Sequence, residues 1–350
     1  MKAQYDTEVL LYCAGAIHPH INTLKTIAQN INQRKNIEDI HDIRVASRRI
    51  RTCLAIFSDY LPAKKVKAWT KDIQKITQAY SAVRDLDVQI DLVEKVFQQV
   101  NDAKLKPGLR RIKLRLNQRR RKKQAKVITI TQAIFESSIV SEMKEWCEAV
   151  LNAEPTQEKN LLPLYQLGYE QIQTRLDEFL FFEVFIFDPT RVKELHKMRI
   201  AAKKLRYTLE IFSDLYNKET DFALNISRQC QEDLGQIHDA DVWINFLPSF
   251  MESELQRVRK FYGQSAPFTR LRPGIEHLIK NRQNERHILY EKFLNEWHVW
   301  KMEETWLNLC KIIFLTSMES SPLNLSSMLG DTPIIKHQPI DDKGQKLSNA

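Results

Sequence analysis

The stretch His41-Asp42-Ile43-Arg44-Val45-Ala46-Ser47-Arg48-Arg49-Ile50-Arg51 has a second copy in this chain, His196-Lys197-Met198-Arg199-Ile200-Ala201-Ala202-Lys203-Lys204-Leu205-Arg206. Both copies place a histidine, an arginine, an alanine, two adjacent basic residues and a final arginine at the same offsets. At about 100° per residue, the histidine and the spaced arginines of the first copy fall on one face of a helix and its apolar residues on the opposite face. The pattern therefore predicts two helices that pack through one face and present a row of cations, suited to a polyanion, on the other.

The length of this row favours an extended anion. From His41 to Arg51 a helix axis rises about 15 Å, at about 1.5 Å per residue, which exceeds the reach of a single phosphate. Arginine also makes forked contacts with phosphate oxygens. The alternative interpretation is a solvated helix surface, as for most charge runs, but solvation alone does not require the same residue types in the same register twice.

The repetition extends beyond the two basic segments. Arg84-Asp85-Leu86-Asp87 follows the first copy at nearly the distance at which His238-Asp239-Ala240-Asp241 follows the second, and Lys106-Pro107-Gly108 matches Arg272-Pro273-Gly274. Strand alternation and hairpin signals are missing, so the intervening segments are predicted to be helical. Asp188-Pro189 is predicted to supply the N-cap and first residue of the second basic helix.

These repeats predict an all-α fold made by tandem duplication, because their period of about 155 residues is too long for a solenoid. We expect two four-helix bundle units, residues 1–153 and 154–319, related by a pseudo-twofold axis. The two basic helices would then line a central basic groove. Residues 320–350 are polar and are predicted to form a disordered tail.

Composition narrows the class of protein. The formal net charge of +9 and the pI of about 9.2 favour an anionic partner. The eight glycines form neither a dinucleotide-binding motif nor a P-loop, and no cofactor is predicted. The five cysteines lack metal-ligand spacing and are predicted to be buried, reduced thiols. Since there is neither a secretory signal nor an apolar run long enough for a membrane span, we expect a soluble, cytoplasmic protein.

The paired carboxylates at Asp85 and Asp87, and at Asp239 and Asp241, admit two interpretations. They could hold a divalent metal, or they could fix neighbouring arginine and histidine side chains, which we favour. His-Asp pairs such as His238-Asp239 also occur among the metal ligands of HD-type phosphohydrolases, but the surrounding arginines and lysines disfavour a bound cation. We therefore predict no metal site, and an HD-type metal-dependent phosphohydrolase is the least favoured of the alternative functions.

The densest positive charge lies between Arg110 and Lys126. When the two Pro-Gly pairs are aligned, Arg120 and Arg286 are the one basic pair in this run that repeats, and we predict that both belong to the site. RNA or DNA binding by the same cations remains the alternative, although base stacking requires exposed aromatic side chains. The basic faces carry no interleaved aromatic residue apart from Tyr207.

The two histidine-arginine motifs, with Arg84-Asp85-Leu86-Asp87 and Lys204-Leu205-Arg206-Tyr207, resemble the CHAD family, named for its histidine-bearing α-helical domain. The resemblance extends to about residue 318. It implies two four-helix units around a basic groove that binds inorganic polyphosphate, a non-catalytic role, and recruitment to polyphosphate granules. Carried onto this sequence, it implies a polyphosphate site at His41, Arg44, Arg48, Arg49, Arg51, Arg84, Arg120, His196, Arg199, Lys203, Lys204, Arg206, His238 and Arg286. Two departures, Lys203-Lys204 in place of Arg48-Arg49 and His238 in place of Arg84, predict that the two halves hold the anion unequally.

Overall fold

A computed structural model describes residues 6–30, 37–136, 138–153 and 160–319 of the chain. These residues form ten α-helices, joined in places by short 3-10 turns, and no strand occurs among them. The helices are α1 (Thr7–Asn30), α2 (Ile37–Ile56), α3 (Ala63–Gln99), α4 (Lys106–Glu136), α5 (Ile139–Leu151), α6 (Leu162–Leu180), α7 (Val192–Phe212), α8 (Asp221–Tyr262), α9 (Arg272–Met302) and α10 (Thr305–Glu319). The predicted tail, residues 320–350, lies outside the described residues.

The two basic motifs lie on α2 and α7, and their apolar residues form the buried face of each helix. Ile43 and Ile50 of the first copy are at most 1 % exposed, and Met198 and Leu205 of the second are fully buried. Burying one apolar stripe fixes the rotation of each helix about its axis. The cationic stripe is consequently turned away from the core.

Each half contains five α-helices in the described residues, so the prediction of four-helix units was wrong. Glu304 adopts a left-handed φ of 52° and separates α10 from α9. In the first half, α4 ends at Glu136 and α5 begins at Ile139. The short fifth helices then fold back, α5 onto α1 and α10 onto α6. Two reversals that bury further apolar surface explain why one continuous helical pattern in the sequence becomes two helices.

The second basic helix also begins later than predicted, because Asp188 does not cap it. The Asp188 carboxylate instead accepts hydrogen bonds from the Thr190 backbone N–H, at 2.9 Å, and from the Thr190 hydroxyl, at 2.6 Å. These contacts close a turn before the helix. Helix α7 starts at Val192 with no side-chain cap on its first turn.

Residues at matching positions of the two halves meet one another. Helix α2 packs against α7, and α4 against α9. Phe57 and Phe212, at matching positions after the two motifs, have ring centroids 6.1 Å apart. Gly108 and Gly274 pack so closely that a Cβ on Gly108 would lie 2.9 Å from the Gly274 Cα. The two halves therefore join along corresponding helices.

Two hydrophobic cores support this arrangement. The larger core runs through α1, α2, α5, α6, α7 and α10 and includes parts of α3, α8 and α9, among them Trp69 and Phe293. A smaller core joins the ends of α3, α4, α8 and α9 and contains Trp243 and Phe250. The cationic faces of α2 and α7 lie where the first half meets the second.

Candidate anion-binding site

Five cationic side chains from the two motifs come together where α2 meets α7. This set, called here the basic cluster, consists of Arg44, Arg48, Arg51, Arg199 and Lys203. Partial burial and the nearby positive charges lower the pKa of Lys203 to about 8, and the charges responsible come from both helices. Burial also lowers the pKa of Arg48. Like charges from two halves of the chain are thus held close together.

The arginines of the basic cluster have unused donors. The Nε atoms of Arg44, Arg48, Arg51 and Arg199 are buried, and each lacks a hydrogen-bond partner in the described part of the chain. A buried donor without a partner is costly. Four such donors in one cationic cluster are suited to an anion with several oxygen acceptors.

Tyr207 is an aromatic residue that packs against the basic cluster. The guanidinium of Arg48 lies 4.4 Å from the ring centroid, within cation–π distance. The ring is 4 % exposed, and burial raises the pKa of the phenol. This ring therefore supports the arginine and is not open to a stacked base.

The first carboxylate of each acidic pair lies beside the cluster. Partial desolvation raises the pKa of both Asp85 and Asp239, while Arg44 and Arg199 oppose the rise at Asp85 and Arg199 opposes it at Asp239. Asp85 is also close enough to Asp239 to contribute to its raised pKa. These carboxylates come from α3 and α8, so the cluster is bordered by four helices.

The second carboxylate of each pair holds an arginine in the same way in both halves. Asp87 of α3 forms an ion pair with Arg120 of α4, and Asp241 of α8 forms one with Arg286 of α9. Arg286 also donates to the Pro189 carbonyl at 2.8 Å. The predicted repetition of Arg120 and Arg286 thus corresponds to a repeated ion pair, and these carboxylates position arginines.

The two histidines of the second half contact each other. Their Nδ1 atoms are 3.1 Å apart and their ring centroids 4.1 Å apart. Burial, followed by the charge of Arg199, lowers the pKa of His196 and brings that of His238 to about 4. The lowered pKa values favour the neutral form of both rings in the free protein, and their Nδ1 contact is satisfied when one ring donates and the other accepts.

Other predicted site residues lie outside the cluster. Arg49 and Arg206 both pair with Glu210, at 2.9 and 3.0 Å, and Lys204 pairs with Glu178 at 3.0 Å. His41 is exposed at the start of the cationic row, and Arg84 is half-buried beside Asp85. Glu210 had no part in the sequence prediction. The sequence did contain a sign of its role, because the position that matches Glu210 in the first repeat is Ala55, so a carboxylate occurs there in one repeat and not in the other.

The basic run on α4 is largely engaged in joining helices. Arg111 and Arg115 donate to Glu254 of α8, at 3.3 and 2.7 Å, and Arg257 pairs with the same carboxylate. The Glu254 side chain is fully buried. Burial alone raises its pKa, but hydrogen bonds from Arg115 and Arg257 hold the pKa below its ordinary value. Arg119 lies over Phe246, 5.1 Å from the ring centroid.

Metal binding and membrane insertion are two further functions on which the described ranges bear. In those ranges no group of three or more histidine, cysteine, aspartate or glutamate side chains is arranged to hold a metal ion. Nor does any helix there combine the length and apolar character needed to cross a membrane. The cysteines are unpaired, four of them buried and Cys310 half-buried.

The fold and the cluster together define an all-α protein with concentrated positive charge between two of its helices. The chain matches the CHAD domain family over residues 15–248, more than half of its length, and it belongs to this family, whose known role is polyphosphate binding. The sequence match ends within α8, before α9 and α10 begin.

Solved structures extend the likeness over more of the chain. The crystal structure of the CHAD domain from the plant Ricinus communis superposes with a TM-score of 0.54 at 19 % identity, covering 85 % of this chain and 96 % of that one. PptA from Streptomyces chartreusis gives a TM-score of 0.51 at 16 % identity, covering 82 % and 98 %. At these identities the likeness concerns the fold. No curated protein matches the chain.

Proposed function

We propose that this protein binds inorganic polyphosphate without chemically changing it, and that the basic cluster is the centre of the site. The observation that carries the proposal is the set of four buried arginine Nε donors in the cluster, none of which has a partner among the described residues. A chain of phosphates offers acceptor oxygens and negative charge at regular intervals, which meets both needs at once.

The site is proposed to be a groove between the halves of a duplicated chain, related by a pseudo-twofold axis. Contacts between matching residues support this relation, because a twofold axis brings corresponding positions together. Phe57 with Phe212, and Gly108 with Gly274, are such pairs. His41, Arg84, His196 and His238 would extend the groove from the cluster. Arg120 and Arg286 would contribute from positions fixed by their aspartates.

Polyphosphate is favoured over nucleic acid as the ligand. Single-stranded RNA and DNA are typically held by stacking of bases on exposed aromatic rings. The aromatic ring in the cluster, Tyr207, is buried and covered by Arg48. A polyanion without bases requires no such platform. Association with polyphosphate granules in the cytoplasm would follow from this affinity.

The test is charge reversal at the two matching arginines, Arg44→Glu with Arg199→Glu. We expect retention of long-chain polyphosphate in a filter-binding assay to be lost, while the helical circular dichroism is unchanged. The matched control is Arg121→Glu with Lys122→Glu, which makes the same change in net charge at exposed positions of α4. Undiminished binding by the folded cluster variant would place the site elsewhere.

Specificity is tested by competition. Long-chain polyphosphate is expected to displace labelled RNA at a much lower phosphate-equivalent concentration than RNA displaces polyphosphate, at matched salt. Preferential binding of RNA would favour the nucleic-acid alternative. Release of orthophosphate on incubation with divalent cations would contradict a purely binding role.

A further inference from the structure

Two cavities are lined by residues of both α2 and α7, and part of their lining occupies matching positions of the two sequence repeats. The first, here the open cavity, has a volume of about 330 Å³ and includes residues of the basic cluster. The second, here the Glu210 cavity, has a volume of about 510 Å³. At an offset of 155 residues, five lining residues of the open cavity correspond to five of the Glu210 cavity: Arg175 to His20, Lys204 to Arg49, Thr208 to Cys53, Ala55 to Glu210 and Ile56 to Ile211.

The Glu210 cavity has a carboxylate of the protein among its cations. The Glu210 side chain is 7 % exposed and pairs with Arg49 at 2.9 Å and with Arg206 at 3.0 Å. Burial and the charge of Arg49 lower the pKa of His20 to about 4, against the opposing influence of Glu210. The cations of this cavity are therefore neutralised by a carboxylate that belongs to the protein.

The open cavity has an alanine where that carboxylate would be. Arg51 corresponds to Arg206, yet its Nε is buried without a partner in the described residues, because position 55 offers no acceptor one turn further along the helix. Arg48 and Tyr207 also line this cavity, and the Nε of Arg48 and the hydroxyl of Tyr207 are likewise buried and unpaired among those residues. Three residues that line the cavity thus each have a buried polar atom without a partner in the described part of the chain.

The charge of the open cavity is strongly positive. Five cationic side chains line it, from three helices: Arg48, Arg51, Arg175, Lys203 and Lys204. Glu178 lies outside this lining and pairs with Arg175 at 2.7 Å and with Lys204 at 3.0 Å. Among the described residues, no carboxylate forms an ion pair with Arg48, Arg51 or Lys203. The volume is near the lower end for a small-molecule site, so it suits a compact anion better than a long chain.

We propose that the open cavity binds a compact run of about three phosphates, either a free oligophosphate or the end of a polyphosphate chain, and that Glu210 takes the place of this anion in the Glu210 cavity. The inference rests on the proposed function and adds a specific pocket to it. It makes the site one-sided, since one of the two matching cavities accepts an anion and the cations of the other are already neutralised by a carboxylate of the protein.

The test places the missing carboxylate in the open cavity. Ala55→Glu puts a glutamate four residues after Arg51, as Glu210 follows Arg206, at an exposed helical position where glutamate is well tolerated. By calorimetric titration, we expect the affinity for tripolyphosphate to fall roughly tenfold or more, because the new charge repels the ligand and occupies its cations. Ala55→Gln, whose neutral side chain has nearly the same shape as glutamate, is the matched control, and the tenfold loss is measured relative to this variant so that the effect of side-chain size cancels.

Two further ligands separate free oligophosphate from chain ends. Long-chain polyphosphate with free ends and the same polymer with blocked ends are titrated against each variant. If the cavity holds ends, Ala55→Glu weakens binding of the free-ended polymer more than that of the blocked one; if it holds free oligophosphates, only tripolyphosphate is affected. Circular dichroism confirms that each variant is folded.

The outcomes distinguish this inference from the proposed function. Equal tripolyphosphate affinity in Ala55→Glu and Ala55→Gln, or no tripolyphosphate binding by a protein that retains long chains, overturns the pocket and leaves the groove. Failure to bind any polyphosphate overturns both.

Discussion

The basic cluster between α2 and α7 and the basic run on α4 are both rich in arginine, but the structure treats their charges differently. On α4, Arg111 and Arg115 converge with Arg257 on the buried Glu254. In the cluster, Arg44 and Arg199 have buried Nε atoms that lack partners in the described residues. Charge density along a sequence therefore does not locate an anion site. What matters is whether a carboxylate of the protein already neutralises the cations.

The largest expected effect concerns Glu254 and the arginines that it neutralises. Replacing Glu254 by glutamine removes a buried charge that three arginines share, and the free energy of unfolding is expected to fall by roughly 3 kcal/mol. Urea unfolding followed by circular dichroism measures the change. Polyphosphate affinity of the folded variant should be unchanged. Unchanged stability, or a strong gain in polyphosphate affinity from the released arginines, would contradict the neutralisation of these arginines by Glu254.

The next effect concerns the paired histidines beside the cluster. The folded-state pKa of His238, about 4, lies below the unfolded value of about 6.5, so the unfolded chain binds more protons between these values. Stability of the free protein should therefore decline as the pH falls from 6.5 towards 4. A bound polyanion favours the protonated ring, and if it restores the ordinary pKa, affinity at pH 5.5 should be about tenfold higher than at neutral pH.

His238→Asn is the control for this histidine effect. Asparagine keeps a polar side chain of similar reach but does not titrate, so the increase in affinity at low pH should shrink. Filter-binding curves at pH 7 and pH 5.5 provide the measurement. An identical increase in the variant would assign the proton uptake to other groups, such as Asp85 and Asp239.

A smaller effect is expected at alkaline pH from Lys203. Its folded-state pKa of about 8 lies below the ordinary value for lysine, so between pH 8 and about 10.4 the unfolded chain binds more protons and this group makes stability rise with pH. Polyphosphate binding should move in the opposite direction, weakening by about fivefold from pH 8 to pH 9 as the free lysine loses its proton. Lys203→Arg remains charged and should flatten the binding profile. A profile unchanged by this substitution would show that Lys203 does not contact the anion.

The smallest effect distinguishes the two regions by their salt dependence. By analogy with single-stranded nucleic acids, each cation that contacts phosphate contributes about −0.7 to the slope of log affinity against log salt. Arg48→Gln should make the slope less steep by about that amount, which is roughly a threefold difference over a fourfold range of salt. Arg115 is already paired with Glu254, so Arg115→Gln should leave the slope unchanged. Equal slope changes in both variants would mean that the α4 run binds the anion as well.

The sequence by itself determined the all-α fold and the family. The apolar stripe of each motif is buried where the 3.6-residue period placed it, as Ile50 and Leu205 illustrate. The repeat also predicted that Arg120 and Arg286 are equivalent, and each proves to be held by the second aspartate of its half. Periodicity carries this information because a helix face is a local property of the chain.

Which cations remain available was decided by the tertiary structure alone. The sequence placed Arg49 and Arg206 in the same rows as Arg48 and Arg51, but both turn to Glu210. The break before α10 and the turn at Asp188 were likewise settled by packing and by local hydrogen bonds. The physical reason is that neutralising a charge requires a partner within about 4 Å, and that partner can come from any part of the chain. A pattern along one helix does not reveal what the neighbouring helix brings to it.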